Sequence, residues 1–204
     1  TCYQCVSLTK LTLGKMQGNI GASEFAECPL LPFVAIPSSV KAIGDSAFQS
    51  NSMLASVSLP DTVVTMGNSV FENCVALTEL KIPASITAIP SKTFSGCSSI
   101  TSITIPNTIT TIQALAFDGC LSLREVSIPS SVTVISTNGA FRDCTGLRKL
   151  VLNTPLLETV DEFMSVYFPE SKSTITELVI ENSVTKLAAE TCRSCTSLTQ
   201  LKIG

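Results

Sequence analysis

The sequence predicts an α/β solenoid: a coil of about nine turns of roughly 23 residues each, with one parallel β-sheet face and short extended segments and helical or 3₁₀ turns on the other side. Three observations predict it: the spacing of the cysteines, the beat of the phenylalanines, and an aliphatic triplet that returns once per turn. Cys28, Cys74, Cys97, Cys120 and Cys144 lie 46, 23, 23 and 24 residues apart, and Asn51 stands where the missing member falls. The same ladder reaches back to Cys5 and, past an irregular stretch, forward to Cys195. Phe25, Phe48, Phe71, Phe94, Phe117 and Phe141 each precede the Cys or Asn position by three residues, and Cys2 and Cys192 take that place in the end units.

Each turn opens on an L-x-x-L-x-L triplet or its aliphatic equivalent. It occurs nine times, from Leu8/Leu11/Leu13 through Leu77/Leu80/Ile82 to Leu198/Leu201/Ile203. The last two members alternate with a polar residue, the period-2 pattern of a half-buried strand. Pro37, Pro60, Pro83, Pro106 and Pro129 follow directly. Proline has no N–H for a ladder, so each strand should end there and the chain turn. A second aliphatic pair comes next, as in Val40/Ile43 and Ile86/Ile89, and predicts a short extended segment. Gly44, Gly67 or Pro90 then leads into a small residue and Phe, which predicts a helical or 3₁₀ turn carrying the ring inward. A unit this short cannot bury its own apolar side, so neighbours must stack, and nine strands make a rod or arc about 40 Å long.

Composition narrows the function. The 13 Lys+Arg against 16 Asp+Glu leave a net charge of -3, which argues against nucleic acid as a partner. The chain is 45% hydrophobic, yet no apolar run approaches the about 18 residues a spanning helix needs, so no membrane insertion of this segment is expected. There is no His, no G-x-S-x-G, no phosphate-binding glycine loop and no spaced carboxylate pair. No catalytic residue, cofactor or metal site is assigned, and the protein is read as a non-enzyme.

These residues resemble the treponemal or BspA-like class of the leucine-rich repeat superfamily, whose pattern is close to L-x-x-I-x-L-P-x-x-[VL]-x-x-I-G-x-x-[AS]-F-x-x-C. Five consecutive units, from Leu31 to about Cys144, carry nearly every landmark. The resemblance implies a surface or secreted protein of bacteria or parasitic protists, adhering to host proteins, matrix, cells or other microbes. It points outward, although a ladder of free thiols would suit a reducing cytosol. The alternatives are a structural spacer that holds other domains away from a cell surface and an intracellular interaction scaffold.

The whole chain, 1–204, is read as a single solenoid, with regular repeats over 6–152, an irregular unit with an insertion over 153–174 and terminal repeats over 175–204. Between Leu152 and Ile180 the chain uses 28 residues where 23 are expected. Phe163, Met164 and Tyr167 could be displayed there on a binding loop. The favoured reading keeps those rings inside a locally repacked unit. No polar capping element is visible at either end, so the chain is expected to continue into further repeats or to meet another such end in an oligomer.

The ladder cysteines read as free buried thiols, with Asn51 marking a narrow site that also satisfies a backbone group. Cys2-x-x-Cys5 and Cys192-x-x-Cys195 look like halves of a Cys₄ zinc site but would lie about 40 Å apart, and a disulfide within either pair is favoured over zinc.

What remains is the outward row of the sheet. Its pairs run Lys10/Thr12, Phe33/Ala35, Ser56/Ser58, Glu79/Lys81, Ser102/Thr104, Glu125/Ser127, Lys149/Val151, Glu177/Val179 and Gln200/Lys202. From these, Lys10, Phe33, Ser56, Glu79, Lys81, Ser102, Glu125, Lys149, Val151, Glu177 and Val179 are the candidate contacts for a protein partner. Phe33, Val151 and Val179 are the expected apolar anchors. Glu79, Glu125 and Glu177 share a strand position. They are read as solvated surface in preference to a cation-binding column, because Ser56 and Ser102 interrupt it.

Overall fold

The computed structural model describes residues 2–14, 16 and 18–204. In chain order its strands are β1 (Phe33–Ala35), β2 (Ala42–Ile43), β3 (Ser56–Ser58), β4 (Thr65–Met66), β5 (Glu79–Leu80), β6 (Ala88–Ile89), β7 (Ser102–Thr104), β8 (Thr111–Ile112), β9 (Glu125–Ile128), β10 (Val134–Ile135), β11 (Lys149–Leu152), β12 (Glu177–Ile180) and β13 (Gln200–Ile203). All pairing is parallel. Eight of them, β1, β3, β5, β7, β9, β11, β12 and β13, form the predicted face and bracket seven complete turns. The two-residue strands β2, β4, β6, β8 and β10, from the aliphatic pairs after the prolines, make a second, narrower row in two pieces, β2–β4 and β6–β8–β10.

The prolines end the face strands as expected and then serve the turn. Pro37, Pro60, Pro106 and Pro129 each offer their carbonyl to the N–H three residues on, at 3.0 to 3.1 Å. Ladder pairing on the face runs from β1 through β5 and again from β7 through β13, with a lapse between β5 and β7. The strand expected at Leu8/Leu11/Leu13 does not form. Those three side chains are half-buried against the core, and Gly14, at φ 53°, turns the chain where regular units place proline.

The helical or 3₁₀ turns expected around each Phe are also absent from the regular units. The residues two before and two after each ring are left-handed: Ser46 and Ser50 around Phe48 (φ 56° and 59°), Ser69 and Asn73 around Phe71, Lys92 and Gly96 around Phe94. A right-handed helix cannot pass through that alternation. Its N–H groups point to the next turn, as when Ser46, Phe48 and Ser50 donate to Asn68, Val70 and Glu72 carbonyls at 2.8, 3.0 and 2.7 Å. Each arc is thus a cross-turn ladder.

The rings meet inside. Phe25, Phe48, Phe71, Phe94, Phe117, Phe141 and Phe168 stack in one column with centroids 4.8 to 6.0 Å apart and planes within 22° of parallel. Close approach of turns needs glycine at Gly44, where a Cβ would sit 2.6 Å from the Ala22 nitrogen.

Among the described residues, helix occurs in the irregular unit alone. A 3₁₀ segment, Pro155–Glu158, is capped by Thr154, then comes α1 (Phe163–Tyr167) and a second 3₁₀ segment, Ser171–Ser173. Phe163, Met164, Tyr167 and Phe168 are all buried, so no aromatic binding loop is displayed. Phe168 continues the column, while Phe163 packs edge-on to Tyr167 at 4.9 Å.

Candidate functional site

Strand alternation positions the outward face. Val34, Val57, Ile103, Val126, Leu150 and Leu178 point into the core, which leaves their neighbours outside. In-register pairing aligns Phe33, Ser56 and Glu79 in one row, and Ser102, Glu125, Lys149, Glu177 and Gln200 in its continuation past the lapse. A parallel row holds Ala35 and Ser58, then Thr104, Ser127, Val151, Val179 and Lys202. The structure therefore brings the candidate residues onto one surface, except Lys10, which is exposed in the segment that forms no strand.

The charges on this surface alternate and pair. Lys149 Nζ lies 3.0 Å from Glu125 Oε1 on the neighbouring strand, and Lys202 Nζ lies 3.1 Å from Glu177 Oε1. Hydrogen bonding to Glu125, and then its charge, push the Lys149 ammonium pKa up. Lys81 Nζ reaches Asp61 Oδ2 at 3.0 Å. That bond and the Ala84 N–H hold the Asp61 carboxyl below its usual range. The glutamates do not form an acidic column, because Lys149 stands between Glu125 and Glu177. Glu79 has no ion pair among the described residues.

Val151 and Val179 are half-buried, not exposed anchors, because they are cross-strand neighbours in register and cover each other. Phe33 is 48% exposed. Beside it lies an open depression of about 770 Å³ whose floor includes the aliphatic Leu59, Leu80 and Ile82 and whose edges carry Ser56, Glu79 and Ser102, and it spans the place where β5 and β7 stop pairing. Asp61 was not among the sequence-derived candidates. Its signal is the 23-residue step to Ala84, whose N–H it accepts at 3.1 Å.

The cysteine ladder belongs to the interior. Cys74, Cys97, Cys120 and Cys144 thiols each donate to the carbonyl of the preceding turn's Phe, at 3.1 to 3.3 Å. Asn51 makes the same bond to the Phe25 carbonyl at 3.0 Å and also accepts Cys28 N–H at 2.7 Å. All nine cysteines are free. Among the described residues, no three His, Cys, Asp or Glu side chains gather closely enough to hold a metal ion.

The sequence model described as "BspA type Leucine rich repeat region (6 copies)" matches residues 18–148 and 136–204. Among solved structures, a leucine rich cell surface protein from Faecalibacterium prausnitzii is 32% identical, covering 67% of this chain and 48% of its own, with a TM-score of 0.59. The Treponema pallidum leucine-rich repeat protein shares the fold at 24% identity, covering 91% of this chain and 74% of its own, TM-score 0.63. A leucine-rich repeat protein from Bacteroides ovatus does so at 20% identity, covering 99% and 62%, TM-score 0.56. The chain thus spans about half the length of the Faecalibacterium protein. No curated protein matches it.

Proposed function

The chain belongs to the BspA-type leucine-rich repeat family, and on that premise we propose that it is a non-catalytic module of a surface or secreted protein that binds a macromolecular partner, a host or matrix protein, through its sheet face. The observation that carries this reading is the in-register outward row with the depression beside exposed Phe33. A ring at the rim of a largely apolar hollow edged by hydroxyl and charged groups supplies an apolar anchor with hydrogen-bonding groups around it. Contact is centred on Phe33, Ser56, Glu79, Lys81 and Ser102, and extends along Glu125, Lys149, Val151, Glu177 and Val179, with Lys10 beyond Phe33. The surface setting draws support from the Faecalibacterium relative, which is described as a cell surface protein. Residues 1–204 act as one solenoid unit, with residues 2–14 as a ninth, irregular turn.

The test is saturable binding of the chain to a panel of immobilised matrix proteins. Replacing Phe33, Glu79 and Lys149 together by Ala should weaken binding more than about tenfold. Replacing Lys92 and Arg142, on the Phe arcs, should leave it unchanged. Binding that survives the triple replacement overturns the sheet-face assignment, and no saturable binding to any member of the panel supports the spacer.

A further inference from the structure

We propose that Cys192 and Cys195 form a redox-active dithiol, a modification site that closes to an intramolecular disulfide by exchange with a low-molecular-weight disulfide. The cysteines of the central ladder and the pair near the end of the chain differ chemically. The ladder thiols Cys74, Cys97, Cys120 and Cys144 are fully buried and each has its proton committed to a main-chain carbonyl. Burial pushes Cys74 and Cys144 up to about 12, and Cys97 and Cys120 well above the usual thiol range. Such thiols hold almost no thiolate at neutral pH and are closed to reagents.

Cys192 and Cys195 differ on each point. Both are half-buried, and they sit at the two ends of one tight turn, with Cys195 N–H donating to the Cys192 carbonyl at 3.2 Å and Ser194 at φ 63°. Cys195 occupies the ladder position, whose acceptor would be the carbonyl of the preceding ring, Phe168. Lys172 N–H, from the irregular unit, donates to that carbonyl at 2.9 Å, and among the described residues the Cys195 thiol makes no bond to it. The neighbouring Cys195 thiol, by hydrogen bonding to the Cys192 thiolate, lowers Cys192 to about 7, and the same interaction pushes Cys195 up. Lys172 adds a nearby positive charge. One thiol is thereby set as attacking thiolate and the other as resolving thiol, three residues apart on a turn.

The exchange balances. The Cys192 thiolate attacks one sulfur of R–S–S–R, forming a mixed disulfide and expelling RS⁻. Cys195 then loses its proton and attacks Cys192 Sγ, forming the internal S–S bond and expelling the second RS⁻. The two protons from the protein thiols end on the two RS⁻, giving two RSH, so the protein is oxidised by two electrons and the reagent reduced by two.

Oxidised glutathione is the probe. After incubation of the folded chain, blocking of remaining thiols and trypsin digestion, cleavage after Arg193 separates the two cysteines. The disulfide then appears as peptide 187–193 linked to peptide 194–202, lost on reduction, with the ladder cysteines recovered blocked. A Cys195→Ser chain should instead accumulate the glutathione adduct at Cys192. Native alkylation of Cys192 should outpace that of Cys97 by more than about tenfold. Separate peptides, a persistent glutathione adduct in the unaltered chain, or equal alkylation rates would each overturn the proposal.

Discussion

Asn51 shows what a single ladder site requires. It makes two buried backbone bonds where Cys74, Cys97, Cys120 and Cys144 each make one, so Asn51→Ala should leave Cys28 N–H and the Phe25 carbonyl unpaired and cost about 3 kcal/mol. Asn51→Cys restores the carbonyl bond and should cost about 1 kcal/mol, both read from urea midpoints. Ser69 is one of the left-handed residues beside a ring, at φ 57°, and Ser69→Gly should stabilise by about 0.5–1 kcal/mol, the relief of that conformation less glycine's entropy cost. The buried thiols set the alkaline limit. Their folded pKa values lie above the unfolded ones, so the folded chain holds more protons between the ordinary value of 9.0 and about 12. Their contribution is fully present below the unfolded pKa and is lost progressively as pH rises through that window. The urea midpoint should therefore fall steadily above pH about 9, and a flat profile would show the thiols to be reached by solvent.

Among the elements, the strands and prolines were legible in the sequence and the arcs were not. Strand phase shows as period-2 alternation, which any reader can count. Left-handed backbone leaves no such mark, because Ser46, Asn73, Lys92 and Leu115 adopt it as well as Gly96 and Gly119. The cross-turn bonds to residues 22 or 23 positions on hold them there. The irregular unit was legible as an insertion, but its choice of Phe168 over Phe163 for the column came from packing on Phe141. On the outward row, residue type could mark Phe33 and could not reveal that Val151 and Val179 cover each other, since that depends on register between strands 28 residues apart. The column makes a further expectation. Phe94→Ala removes a ring stacked on both sides and should cost about 3–5 kcal/mol, whereas Tyr3→Ala, at an exposed ring, should stay within about 0.5 kcal/mol.

For the whole molecule, stability is distributed along one axis, since each turn contacts mainly its neighbours. Leu201 and Ile203, at inward positions of β13, are 50% and 63% exposed, while Phe94 through Cys144 contribute fully buried rings and thiols. Native-state hydrogen exchange should therefore be slowest over about residues 94–150 and fastest at 2–14 and 181–204. Uniform protection would mean a single all-or-none unit. In the regular turns the side-chain bonds keep one step. Gln49 to Glu72, Asp45 to Asn68 and Asp61 to Ala84 all link residues 23 apart. Excising residues 78–100 would splice one regular turn onto the next with each donor again facing an equivalent acceptor, whereas removing a few residues more or fewer would need a locally rebuilt turn, as the irregular unit rebuilds itself around its five extra residues. The regular turns are thus interchangeable in phase, and the reach of the array can change by whole units without redesign of any one of them.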